Sequence, residues 1–212
     1  MKSKFKIDWK IVLIIVLTII FQCSCYWFGK LFFDKAIVIG CFVDDAIPFV
    51  SQFVYFYFIW FPLLVIVPYV IAYYDKEKFF KYITTVLISC FIAGLIFIFF
   101  PTTIVRYEGD LSLFSGFIIE VIYKLDTPLS CIPSIHVLTS FAFMLGVFKS
   151  EKIPKAFRVF VYIVAFLIIL STMFIKQHVF YDVISAILIV MVVWFVVVKT
   201  KVYEKIRKWS KI

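Results

Sequence analysis

The amino-acid sequence predicts an all-α fold: a six-transmembrane-helix bundle with both termini cytoplasmic and short interfacial helices in the extracytoplasmic loop 101–133. Three observations carry that expectation. Hydrophobic residues fill 65% of the 212 positions and the mean hydropathy is +1.09, whereas a soluble domain is roughly 45 to 50% apolar. The apolar residues gather in six runs, at about 9–28, 52–74, 80–100, 134–149, 156–175 and 179–199, each close to the ~20 helical residues that cross a hydrocarbon core. Seventeen of the twenty-two Lys and Arg residues lie in alternate connections, and the positive-inside rule turns that asymmetry into an orientation.

Taken in order, the first run follows Lys2, Lys4 and Lys6, and it is too long and too well followed by others to be a cleaved signal. Trp9, Trp27 and Trp209 suit interfacial belts. Asp44 and Asp45 precede the second run and are expected to cap or anchor it at the outer surface, the alternative being contact with a substrate headgroup or an ion. Lys76, Lys78 and Lys81 join runs two and three; Lys149, Lys152, Lys155 and Arg158 join four and five; Lys199, Lys201, Lys205, Arg207, Lys208 and Lys211 form the tail. Together with Lys10 these residues mark the cytoplasmic face, leaving Lys30, Lys35, Arg106, Lys124 and Lys176 outside. Loop 101–133 exceeds the ~12 to 15 residues of an unstructured connection. Within it LSLFSGFIIEVIYKL carries Glu120 and Lys124 among apolar residues, which reads as a short interfacial or re-entrant helix that admits a headgroup or simply covers the bundle. Six runs leave only connecting loops, so one integral-membrane domain, 1–212, is expected.

The formal net charge of +9 is a topology signal and an attraction to anionic headgroups, and gives no reason to expect nucleic acid as a partner. The expected partners are membrane lipids and a lipid phosphate substrate, and no cofactor or metal is expected. Cys23, Cys25, Cys41, Cys90 and Cys131 show no metal spacing. Cys41 and Cys131 both fall on the outer side, where a disulfide is compatible with the topology.

That same outer side collects both histidines, His136 and His178, with Arg106, Ser134, Ser171, Lys176 and Asp182. An ionised group at membrane depth costs roughly 2.5 to 3.5 kcal/mol even on the lenient insertion scale, so charges there need partners or a task. His178 and Asp182 are four apart, one turn along a helix face, so the carboxylate can hold one ring nitrogen protonated while the other attacks an electrophile. Arg106 can fork onto phosphate oxygens and Lys176 can add a second charge. Pro133 reads as the first residue of the fourth helix, leaving free amides and the Ser134 hydroxyl as an anion seat. His136 is then the acid that protonates a departing oxygen. The bland alternatives are a hydrogen-bonded core histidine, a pair tying a helix end, and a snorkelling Lys176.

PSIH at Pro133 to His136, and Ser171 followed by His178 and Asp182, resemble the second and third motifs of the type-2 phosphatidic acid phosphatase superfamily. That resemblance implies a six-span bundle and metal-independent catalysis, with His178 as the nucleophile that forms a phosphohistidine, Asp182 its support, His136 the acid, and Ser134 and Ser171 phosphate ligands. Phe99 stands where the first motif has its lysine, Tyr107 follows Arg106 in place of proline, and Thr172 replaces the third-motif arginine. These departures, with PTTIVR, KQH and DDAIPFV, look like the branch that includes inositol phosphorylceramide synthases and bacterial relatives. The implied function is a lipid phosphate phosphatase at the outer face of a plasma membrane, bacterial by that likeness. A lipid phosphotransferase using a polyol or sugar hydroxyl, and a non-catalytic lipid transporter or binding protein, remain open.

Overall fold

The computed structural model describes residues 7–31, 36–210 and 212. Lys2, Lys4, Lys6, Lys35 and Lys211, which entered the orientation argument, lie outside the described residues. Helix α1 (Trp9–Lys30) begins where the Asp8 carboxylate accepts a hydrogen bond from the Lys10 amide at 3.1 Å. Its buried residues, Ile11, Ile15, Thr18, Gln22 and Gly29, keep to helical spacing and form one stripe. Leu13, Leu17, Ile20 and Trp27 are exposed, so the helix is apolar on all sides but packed on one, as a lipid-facing helix must be.

A two-residue strand β1 (Ile37–Val38), a short helix α2 (Phe42–Ala46) and a 3-10 turn (Ser51–Phe53) lead into α3 (Val54–Tyr74). Asp75 alone separates α3 from α4 (Lys76–Phe99) and caps the latter by accepting from the Lys78 amide at 3.1 Å. Strand β2 (Thr102–Thr103) runs parallel to β1, with Ile37 opposite Thr102 and Val38 opposite Thr103. Then follow α5 (Phe114–Leu125), α6 (Ile135–Val147), α7 (Lys155–Phe174), α8 (Phe180–Thr200) and α9 (Tyr203–Ser210).

Contacts at the helix ends show alternating directions. Ser150, just past α6, donates to Asp75 Oδ2 at 2.9 Å, Lys78 Nζ donates to the Phe148 carbonyl at 2.7 Å, and the Tyr203 hydroxyl donates to Glu77 at 3.2 Å. The turns α3–α4, α6–α7 and α8–α9 therefore meet at one end. The start of α6, the end of α7 and the start of α8 meet at the other, where the Ser134 amide donates to the Asp182 carbonyl at 3.2 Å.

Among the described residues five helical segments are long and apolar enough to cross a membrane: Trp9–Lys30, Ser51–Tyr74, Lys76–Phe99, Lys155–Phe174 and Phe180–Thr200. The sixth expected span, 134–149, differs. Helix α6 has 13 residues, which at 1.5 Å per residue is about 20 Å, short of the ~30 Å hydrocarbon core. It is capped at its start by Ser134, and Phe148 in extended backbone ends it. Ten of its residues are buried, against α3, α4, α7 and α8. A helix enclosed by others is apolar for packing reasons, and its composition alone resembles that of a span.

The expected helix in loop 101–133 is present as α5. Its buried residues Ile119 and Ile122 pack with Val54, Tyr57 and Ile175, so it closes over the site end of α3 and α7. Asp44 does not cap α3. It lies in α2, where its Oδ2 accepts from the Cys41 amide at 2.8 Å, and its Oδ1 accepts from the Phe180 amide at 2.7 Å. One carboxylate thus ties two helix starts together.

Candidate active site

The first turn of α8 builds the centre of the site. Asp182 is its third residue and is fully buried. Its Oδ2 accepts from the Val179 amide at 3.1 Å and from His178 Nδ1 at 2.8 Å, so the group that satisfies an open helix amide also orients the imidazole. With Nδ1–H directed at the carboxylate, His178 Nε2 carries the lone pair. The turn before it is pinned by the Thr172 carbonyl, which accepts from the Gln177 and His178 amides, both at 3.0 Å. Lys176 sits in the left-handed region at φ 52° and its Nζ donates to the Asp44 and Ile47 carbonyls at 2.8 and 2.6 Å.

His136 comes from α6, two residues past its cap. Its ring lies between Trp60 and Tyr57, with centroids 4.1 and 4.3 Å away, and the Trp60 indole N–H is held by Thr139 Oγ1 at 2.7 Å. His136 Nδ1 is 3.5 Å from the Tyr57 hydroxyl, and its buried Nε2 has no hydrogen-bond partner among the described residues. The His136 and His178 ring centroids are 5.9 Å apart. Both rings line one cavity of about 310 Å³, together with Arg106, Asp126, Gln177 and Lys30. A second cavity of about 790 Å³ lies among Asp44, Asp45, Tyr107 and Lys176, and it shares His178 and Arg106 with the first.

The other expected residues are close by but differently engaged. Arg106 reaches the cavity, yet its NH1 donates to the Tyr123 carbonyl at 2.8 Å and its NH2 to the Asp126 carbonyl and Gln177 Oε1. Burial lowers the Arg106 pKa, opposed by the Asp126 charge. Burial also pushes the Tyr123 phenol up to about 12, and its hydroxyl donates to the Ile175 carbonyl at 2.6 Å. Ser134 is the cap of α6, in place of a helix begun by Pro133, and its hydroxyl accepts from the Val137 amide at 3.3 Å. That bond uses part of the expected anion seat. The buried Ser171 hydroxyl donates to the Ile168 carbonyl at 2.6 Å. Neither serine lines the cavity, and Lys176 lines only the second. Cys41 and Cys131 are both free thiols. Among the described residues no three His, Cys, Asp or Glu side chains converge as metal ligands.

Asp126 is the principal residue that the sequence reading missed. At the end of α5, it accepts from the Tyr57 hydroxyl at 3.1 Å, from Gln177 Nε2 at 3.3 Å and from the Tyr26 hydroxyl. It therefore links α1, α3, α5 and the turn before His178. A usable signal existed, since a carboxylate in LDTP lies seven residues before PSIH; Tyr57, one aromatic among 28 Phe, 12 Tyr and 5 Trp, carried none.

No curated protein and no solved structure matches the chain. Residues 112–206, which run from just before helix α5 into α9 and contain Ser134, His136, Ser171, His178 and Asp182, match the model of the PAP2 superfamily.

Proposed function

We propose that this chain is an integral-membrane lipid phosphate phosphatase, which splits a phosphate ester or pyrophosphate of an amphiphile through a phosphohistidine on His178. The match of residues 112–206 to the PAP2 superfamily supports phosphatase- or phosphotransferase-type chemistry on lipid phosphates in general. One observation carries the finer reading: an imidazole fixed at 2.8 Å by a buried carboxylate shares a cavity with a second imidazole, ring centroids 5.9 Å apart.

His178 Nε2 attacks phosphorus, a P–N bond forms, and the P–O bond to the lipid breaks. His136 gives its proton to the departing oxygen, so that an ester releases its alcohol and a pyrophosphate its lipid monophosphate. The charge that develops on the His178 ring is balanced by Asp182. In the second half, water attacks phosphorus, His136 takes one of its protons, the P–N bond breaks and inorganic phosphate leaves. Arg106, with two nitrogens already held, offers a fixed positive field and its remaining Nε, which is buried without a partner among the described residues.

The site end is proposed to face away from the cytoplasm, with both termini inside and α6 as the sixth pass of a single domain; the basic residues of the opposite turns support this orientation. Transfer to a polyol or sugar hydroxyl is a second reading, favoured by the second cavity beside His178. Phosphate release from a panel of lipid phosphates, with and without polyol acceptors and with EDTA present, tests both. Hydrolysis predicts free phosphate, abolished in His178→Ala and insensitive to the chelator. A product with a new headgroup establishes transfer instead. Phosphate release that survives His178→Ala, or that EDTA stops and Mg²⁺ restores, refutes the mechanism; lipid binding or movement without turnover supports a non-catalytic role.

A further inference from the structure

Lys30 is the last residue of α1 and lines the cavity that holds both histidines and Arg106. It lies outside residues 112–206. Its Nζ stands over the faces of Tyr26 and Trp27, 4.4 and 4.9 Å from the ring centroids, and among the described residues it forms no ion pair with a carboxylate. Among the described residues the other cations that line this cavity and the adjoining one are differently placed: Arg106 spends NH1 and NH2 on protein oxygens, and Lys176 spends its Nζ on two carbonyls. Lys30 therefore brings to the cavity a cation whose contacts among the described residues are ring faces, and ring faces are weak competitors for an ammonium when a phosphate oxygen is available.

The local packing places it there. A Cβ added at Gly29 would lie 2.5 Å from Phe97 Cβ and 2.8 Å from Ser130 Oγ, so only glycine lets the last turn of α1 approach α4 and the loop before α6 this closely. Trp27, Phe61 and Leu125 line the same cavity and are exposed on the outer surface, on α1, α3 and the end of α5. The cavity thus has a charged inner end and an apolar side that reaches the flank of the bundle. A volume of about 310 Å³ holds a headgroup and the start of a chain, with the rest of the chain left outside among lipid tails.

We propose that Lys30 binds the phosphate of an anionic amphiphile whose apolar chain leaves the cavity between α1 and α3, making Lys30 a substrate-binding residue. This rests on the proposed lipid phosphate reading. The competing role is a helix-terminal lysine that only complements the α1 dipole or reaches the interface; such a residue is indifferent to whether the ligand is charged.

The test is binding, measured on the full chain in nanodiscs of uncharged lipid, with dodecylphosphonate and dodecanol as probes. K30Q is expected to weaken dodecylphosphonate binding about tenfold or more, the loss of one charge-assisted hydrogen bond. Dodecanol binding should be unchanged, and K30R should retain most of the phosphonate affinity. Equal phosphonate affinity in wild type and K30Q overturns the assignment while leaving the lipid phosphate reading intact, and so does an equal loss for both probes. A wild-type protein that binds dodecylphosphonate no better than dodecanol overturns both.

Discussion

Asp75 and Asp182 sit at opposite ends of the bundle and look alike: both are buried and both satisfy amides in the first turn of a helix. Their remaining partners differ. Asp75 accepts from the buried Ser150 hydroxyl at 2.9 Å and has Lys152 4.0 Å away, groups that fasten the α3–α4 and α6–α7 turns to each other. Asp182 accepts from an imidazole whose other nitrogen carries a lone pair, and that ring lines a cavity; its Oδ1 is buried without a hydrogen-bond partner among the described residues. A carboxylate capping a helix therefore says little about function. What decides is whether the group on its far side is finished or still has chemistry to do.

The largest expected effect comes from removing the charge at one end only. Asp182→Asn keeps an oxygen for the Val179 amide, so α8 retains its cap, but the ring loses the anion that stabilises it as it becomes positive. Turnover should fall by about two to four orders of magnitude, with the folded fraction little changed, as read by phosphate release and thermal unfolding on the same preparation. The matching Asp75→Asn change should leave turnover per folded molecule alone. Similar losses of turnover in both variants would erase the distinction between the two ends.

A smaller effect tests the network around Asp126. Three donors converge on its two oxygens, so Asp126→Asn sets an amide N–H against one of them. The Tyr57 hydroxyl and the Gln177 amide, which also holds Arg106, then lose their fixed positions. About a tenfold fall in kcat is expected. If Asp126 acts through Tyr57, the losses in Asp126→Asn and Tyr57→Phe will not add in the double variant; additive losses would show that the carboxylate has no such route to His136.

These contrasts also explain what could be read from sequence. The long helices followed from apolar run length, because a membrane imposes a length on any exposed helix; their ends fell within a few residues. Helix α6 defeated that rule, since residues enclosed by neighbours need apolarity but not length. The contact between His178 and Asp182 was legible because a four-residue spacing at a helix start converts directly into proximity, whereas His136 and His178 were brought to one end only by the alternation of run directions. The contacts of Asp44 and Lys176 were not legible for the opposite reason: their partners lie about 130 residues away in the chain, and a long-range contact leaves no local pattern. Asp126 and Lys30 share that difficulty, each reaching the site across a loop or from another helix.

The smallest prediction closes the contrast at the structural end. Ser150→Ala removes the 2.9 Å bond to Asp75 Oδ2, but Asp75 keeps the Lys78 amide and nearby Lys152, so the acid is not left bare. One buried hydroxyl bond of this kind is worth about 1 kcal/mol. Unfolding in detergent should therefore register a modest loss of stability, while kcat and KM for a lipid phosphate stay within twofold of wild type. A larger kinetic change would mean that the α3–α4 and α6–α7 turns transmit to the histidines through α6, whose thirteen residues join both ends. The bundle would then behave as one mechanical unit, and the separation drawn between fastening and reacting acids would fail.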